Sequence, residues 1–326
     1  MKQWYASVNY GLEPIIGDIL KNKKAKNVKI LDGAITFSCV DAINTRCINN
    51  LYIILSLFYS DSILDAAKRI SRTTVHSSCL NGMTFRIIIM DCGKLKSIPN
   101  NMMSEIEKNV SRQTGHSVNR ANPDTEIWLN RRNDSMTYFM VRVKKHSAFD
   151  KVLKQGELRP DIAAVMLYMA KINKQSIVVD PFGGWGAIAA AVIENGQYKR
   201  IYTGDINDQC VQYQKARFRK NNDCTITKWD ALSLPLEDMS VDSIITDPPW
   251  GEYKHINTES FYDGFISEAA RILRTHGSFV FLSSAQRCVC QLLVKHHLPF
   301  IDIPLKINGR DTCLFSAKHK KKEEKV

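Results

Sequence analysis

Apolar and polar positions change their rhythm about midway along this chain. Up to about residue 145 they alternate with a period of two in short runs, the mark of half-buried strands, with brief helical stretches between. This pattern predicts strands over Gln3–Val8, a hairpin of Val28–Leu31 and Ala34–Phe37 around Asp32-Gly33, and further strands over Leu51–Phe58, Phe85–Met90, Thr125–Asn130 and Met136–Val143. Helices are expected over Pro14–Asn22, Ser62–Ile70 and Ser104–Arg112, the last with Ser104 as N-cap. The polar stretch Lys144–Arg159 reads as a boundary, and Pro160 suits the first turn of a helix running to Ile172.

Beyond that boundary apolar strands alternate with longer helices. Strands are expected at Ile177–Val179, Ile201–Thr203, Thr225–Lys228, Ser243–Thr246 and Ser278–Leu282, and helices at Ala187–Glu194, Gln209–Lys220 and Phe261–Leu273. Such alternation predicts a mostly parallel, doubly wound α/β sheet. The expected organisation is an α+β segment over residues 1–145, a linker over 146–160, the α/β domain over 161–317 and a disordered basic tail over 318–326.

Composition narrows the class. The 326 residues are 44% hydrophobic, which suits two domains with real cores, and the longest apolar run, Leu51–Tyr59, is about half of what spans a bilayer. The nine cysteines are scattered with no CxxC pair, so reduced thiols and no structural metal are expected, in the cytoplasm or nucleus. Charge is uneven: residues 1–150 hold 21 Lys and Arg against 13 Asp and Glu, whereas residues 151–317 hold 19 against 18. A basic first half beside a neutral second half suits a nucleic-acid grip joined to a catalytic domain.

Two motifs carry the candidate chemistry. Asp180-Pro181-Phe182-Gly183-Gly184-Trp185-Gly186 follows one apolar strand and opens an alanine-rich helix, where a tight glycine turn brings a ligand against the backbone and the helix N-terminus. Asp205 and Asp230 each end a later strand, the positions at which an S-adenosylmethionine site needs acceptors for the ribose hydroxyls and the adenine amine. Asp247-Pro248-Pro249-Trp250 suits an exocyclic amine: Asp247 and the Pro248 carbonyl accept its two N–H groups, Pro249 helps stiffen the loop, and Trp250 offers a face for a flipped base. The expected reaction is methyl transfer to an exocyclic nitrogen, with Phe261, Tyr262 and Tyr253 as further candidates for the base pocket and Phe261 better suited to the core.

With these motifs placed, the chain resembles the THUMP-containing RNA guanine-N2 methyltransferases. The matching pieces are Gly11-Leu12-Glu13, Phe85-Arg86, Asn122-Pro123-Asp124-Thr125-Glu126-Ile127, Leu158-Arg159-Pro160 and the two motifs above. The resemblance implies a ferredoxin-like segment and THUMP module gripping structured RNA, typically tRNA, ahead of a Rossmann-like methyltransferase domain. It also implies S-adenosylmethionine as cofactor, with Asp180, Phe182, Gly184, Gly186, Asp205 and Asp230 as the candidate cofactor residues, and, in eukaryotic relatives, a small zinc-containing activator subunit. Arg131, Arg132 and Arg159 are the candidate RNA contacts. Trp185 stands where the family commonly has a small residue, and Gly183 where it has Cys or Ala. The competing readings are methylation of adenine N6 or of ribosomal or small nuclear RNA, and an RNA-binding scaffold without catalysis. A nicotinamide oxidoreductase is disfavoured by the absence of a GxGxxG turn.

Overall fold

The computed structural model describes residues 1–43, 46–145, 153–249, 258–307 and 309–319. They group into two compact units, one of Met1–Val8 with Leu20–His146, the other of Asn9–Ile19 with Ser147–Val326.

The first unit is a nine-stranded sheet with helices on one face. Its strands are β1 (Lys2–Ser7), β2 (Lys26–Leu31), β3 (Ala34–Cys39), β4 (Asn50–Tyr59), β5 (Thr84–Asp91), β6 (Lys94–Leu95), β7 (Ser117–Val118), β8 (Thr125–Arg131) and β9 (Met136–Lys145), in the order β2-β3-β1-β4-β9-β8-β5-β6 with β7 beside β5. Alternation decides the faces: Ile127, Leu129, Phe139 and Val141 pack with Ala66, Ala67, Ile70, Ile106 and Val110. The last five belong to helices α2 (Ile63–Ile70) and α3 (Asn100–Thr114), whereas α1 (Glu13–Asn22) begins in the second unit and ends in the first. On the opposite face Tyr5, Tyr52, Tyr138 and Met140 cluster with Trp128 against them. Helix α3 starts four residues before the expected Ser104, after Pro99, because Met102 and Met103 extend its apolar face onto the core.

The motif Asn122-Pro123-Asp124-Thr125-Glu126-Ile127 wires this sheet. Asp124 Oδ2 accepts from the Met83 and Thr84 amides and the Thr84 hydroxyl, each at 2.9 Å, which holds the Asp124 carboxyl below its ordinary range. Buried Glu126 takes Arg86, Arg142 at 2.7 Å and the Trp128 indole N–H at 3.0 Å.

In the second unit seven strands run in the order β12-β11-β10-β13-β14-β16-β15. They are β10 (Ile177–Asp180), β11 (Arg200–Asp205), β12 (Cys224–Lys228), β13 (Val241–Thr246), β14 (Leu273–Ser283), β15 (Phe300–Ile307) and β16 (Arg310–Lys318). The first five in this order are parallel, and β16 is antiparallel between β14 and β15. Their helices are α4 (Pro160–Ala170), α5 (Ala187–Asn195), α6 (Asp208–Arg217), α7 (Thr258–Ile272) and α8 (Gln286–Lys295). Strand order reverses between β10 and β13, which opens a crevice at their carboxyl ends. Phe265 anchors the core beneath it, meeting Phe182, Phe279 and Phe281 edge-on at 5.1, 5.3 and 6.0 Å.

The doubly wound sheet is as the pattern predicts, with an antiparallel addition it does not. Helix α8 and the β15–β16 hairpin escape the sequence reading. Pro304 sits within β15, which tolerates it because this strand lies at the sheet edge. Lys318, expected in the tail, pairs with Ser278 in the sheet, and residues 320–326 lie outside the described residues. Gly11-Leu12-Glu13 serves packing in the second unit: Gly11 has φ +90°, donates to Glu13 Oε2 at 2.8 Å, and a Cβ there would lie 2.3 Å from the Pro304 carbonyl oxygen.

Two glycines of this unit should respond oppositely to a methyl group. A Cβ on Gly204 would lie 2.0 Å from the Thr227 carbonyl oxygen, so Gly204→Ala should cost about 3 kcal/mol. Gly264, inside α7, would meet only Leu232 Cδ2 at 3.6 Å, so Gly264→Ala should stabilise by about 0.5–1 kcal/mol. Denaturant midpoints of the two variants check both signs.

Candidate active site

At the crevice lies a cavity of about 530 Å³ whose walls include the ends of β10, β11 and β13 and the glycine turn. At its floor is Asp180, the last residue of β10, which is 1% exposed. Thr246, the last residue of β13, donates its hydroxyl to Asp180 Oδ1 at 2.7 Å and accepts from the Phe182 amide at 3.2 Å. Asp180 Oδ2 is buried with no hydrogen-bond partner among the described residues. Burial above all, then the nearby Asp205 and Asp247 carboxylates, pushes the Asp180 pKa up to about 8, against the opposing Thr246 bond.

The glycine turn is held from behind. Gly183 donates to the Gly204 carbonyl at 2.7 Å, and a Cβ on Gly183 would strike Thr203 Oγ1 at 2.4 Å, so this glycine exists for contact with β11 rather than for a ligand. Gly184, at φ +47°, donates its amide to Asp205 Oδ2 at 2.9 Å, and Asp205 Oδ1 takes the Asn207 amide at 2.9 Å. Fully buried Gln214 of α6 bonds the Gly184 carbonyl at 3.0 Å and the Thr203 hydroxyl at 2.8 Å. Gly186, at φ +78°, is the N-cap of α5 and packs against Phe218 rather than lining the cavity, which Ala187 and Ile188 of the first helical turn reach instead.

The other sequence candidates divide. Phe182 lines the cavity and packs against Phe261 at 5.8 Å. Phe261, expected in the core, also lines the cavity, while Tyr262 is buried, with its phenol oxygen accepting from Ser283 at 2.8 Å. Asp247 and Pro249 line the cavity at the end of β13, with buried Pro248 between them. Trp250 and Tyr253 lie outside the described residues. Exposed Asp230 lies at the cavity, and its Oδ1 also caps its own turn by accepting from the Leu232 amide at 2.9 Å.

None of the three candidate arginines stands clear in solvent. Arg131 pairs with Asp91 at 2.8 Å, Arg132 donates to the Tyr5 phenol at 2.9 Å and the Asp32 carbonyl at 2.7 Å, and Arg159 grips Asp161 through two nitrogens, at 3.1 and 2.7 Å. Asp161 is fully buried and also accepts from Asn9. These guanidiniums knit the fold, because sequence shows a charge but not its partner.

Sequence reasoning missed Thr246, Gln214, Leu158 and Ile206. Ile206 is 64% exposed at the cavity, an apolar side chain directly after a strand-ending acid, and that exposure is the signal that could have found it. Gln214 gives no such signal, being a polar residue inside an already polar helix. Among the described residues no group of three or more His, Cys, Asp or Glu is placed to hold a metal ion, and no helix is long and apolar enough to cross a membrane.

The chain is similar to known methyltransferases in sequence and in fold. Residues 149–300 match the family described as UPF0020, RMKL-like, methyltransferase domain. The chain is 26% identical over 178 residues to the U6 snRNA (guanine-N(2))-methyltransferase THUMPD2 of Bos taurus, covering 54% of this chain and 35% of that protein. It is 25% identical over 195 residues to the tRNA (guanine(6)-N(2))-methyltransferase THUMP3 of Mus musculus, covering 53% and 38%. The matches thus span little more than a third of these curated relatives. In structure the chain is similar to TrmN from Thermus thermophilus, with a TM-score of 0.81 at 16% identity over 98% of this chain and 100% of that one. It is also similar to SMU.472, a putative methyltransferase complexed with SAH, with a TM-score of 0.75 at 12% identity over 99% of both chains. Residues 149–300 thus resemble an RMKL-like methyltransferase domain, and the likeness to the solved structures shows the shared fold.

Proposed function

We propose that this protein transfers a methyl group from S-adenosylmethionine to the exocyclic N2 amine of a guanosine in RNA, with tRNA and U6 snRNA as the first substrates to try. The observation that carries this reading is the meeting, in one cavity, of Asp247 and Pro249 with a glycine turn and with the Asp180 carboxyl, whose Oδ2 has no partner among the described residues. Relatives named for guanine-N2 methylation of both RNAs support it.

The residues present fit the cofactor. Asp180 Oδ2, without a partner among the described residues, suits its ammonium group, while Asp205, Asp230, Phe182 and Gly184 bound a space of fitting size. When bound, the cofactor supplies a methyl group on a cationic sulfonium, so the acceptor nitrogen needs orientation more than a strong base. Asp247 and the Pro248 carbonyl would hold the two N–H groups and turn the nitrogen lone pair toward the methyl, and Trp250 would stack on the extruded base. The proton leaves the nitrogen after transfer. The basic excess of the first half would grip RNA from the first unit, and a small zinc-containing subunit would be an activating partner. We assign the protein to the cytoplasm or nucleus, in keeping with its free cysteines.

Three measurements test this reading. Incubation with labelled donor and unmodified tRNA or U6 transcripts, followed by nucleoside mass spectrometry, should give N2-methylguanosine. N6-methyladenosine would transfer the assignment to adenine, and absence of label in the presence of the activator would favour the scaffold reading. Asp247→Ala should slow transfer by about 1000-fold, as loss of an oriented transition-state contact does, and a normal rate would remove Asp247 from the mechanism. The third measurement concerns pH. With a free-protein pKa of about 8, Asp180 is largely protonated below that pH, whereas an ammonium ligand favours the carboxylate. Affinity for S-adenosylhomocysteine should therefore strengthen from pH 6 to pH 8 and then level, and Asp180→Asn should bind weakly with a flat profile.

A further inference from the structure

Trp185 interrupts the glycine turn, between Gly184 and Gly186, yet its surroundings bind it as an anchor. Its ring meets Tyr213 of α6 edge-on, with centroids 5.4 Å apart and planes at 87°. The Lys154 ammonium lies against both rings, 4.1 Å from the Trp185 centroid and 3.7 Å from that of Tyr213, close enough for a cation–π contact with each. The Trp185 indole N–H donates to the Gln155 carbonyl at 3.0 Å. Arg217 completes the clasp from behind, donating to the Trp185 carbonyl at 2.7 Å and reaching Glu157 Oε1 at 3.5 Å. The Glu157 side chain is 2% exposed, and its Oε2 accepts from the Lys154 amide at 3.1 Å.

Through Lys154, Gln155 and Glu157 these contacts hold residues 154–158, a segment with no regular secondary structure ahead of α4. Gly156 and Leu158 of that segment line the cavity. Without an anchor such a segment would have to be ordered each time a ligand bound, at a cost in conformational entropy. With the anchor it is ordered beforehand.

We propose that Trp185 is a positioning residue for the methyl donor: together with Lys154 and Tyr213 it clasps segment 154–158 in place as a wall of the cofactor cavity, and so tightens binding of the donor and of its demethylated product. This rests on the reading that the cavity takes S-adenosylmethionine. The residue that departs from the small side chain common in the family is then a strap holding the pocket wall.

The test is calorimetric titration with S-adenosylhomocysteine, paired with hydrogen exchange of the free protein. Trp185→Ala should weaken binding at least tenfold and speed exchange in residues 154–158 while leaving β10 and α5 as protected as in the wild type. Trp185→Phe, which keeps a ring for Lys154, should recover most of the affinity. Tyr213→Leu lies outside the turn and should reproduce both effects in part, which keeps the test open even if Trp185→Ala folds poorly. Wild-type affinity in both Trp185→Ala and Tyr213→Leu would overturn the clasp, as would faster exchange spread through β10 and α5. A wild-type protein that takes up no S-adenosylhomocysteine would overturn the reading of the cavity itself, and the clasp with it.

Discussion

The second unit is organised around one carboxyl group that is out of water, with one oxygen, Oδ2, that has no hydrogen-bond partner among the described residues. Burying a carboxylate in that condition is costly, so Asp180 keeps its proton to about pH 8 instead of standing as an isolated charge. What fixes it there is the adjacency of β10 and β13, whose last residues, Asp180 and Thr246, bond to each other at the point where strand order reverses. A cationic ligand would supply the missing partner. The carboxyl thus links the topology of the sheet to the class of ligand the cavity suits.

Much of the motif chemistry around that carboxyl is architectural. Asp205 accepts the Gly184 amide with one oxygen and the Asn207 amide with the other, and Gln214 closes the back of the same turn. In the first unit Asp124 and Glu126 wire β5 to its neighbours in the same spirit. Residues that mark a resemblance in sequence are in large part those that hold a backbone in shape. The groups placed to meet a substrate are fewer: Asp180 Oδ2, Asp247, Pro249 and the apolar walls.

The order of strands and helices was legible because period-two and helical patterns persist wherever one face is buried, as at Ile127, Leu129, Phe139 and Val141. The two motifs could be placed at strand ends for the same reason, since Asp180 and Asp247 directly follow apolar runs. What stayed hidden depends on contacts distant in sequence. Lysine and arginine content says nothing of Asp91, Asp32 or Asp161 waiting for Arg131, Arg132 and Arg159. An edge hairpin with Pro304 in one strand carries a weak strand signal, and the polar interior of α6 conceals Gln214. The role of Trp185 becomes visible only when Lys154 and Tyr213 are seen on either side of its environment.

The central claim, that this cavity delivers a methyl group to the amine of guanine, is tested most directly by removing that amine from the substrate. RNA transcribed with inosine in place of guanosine keeps the purine, the carbonyl and the backbone but lacks the exocyclic nitrogen. Offered labelled S-adenosylmethionine, the protein should methylate the guanosine transcript and leave the inosine transcript unlabelled. Equal label in both would contradict the account, because the methyl group would then be going to an atom that Asp247 and Pro248 do not hold.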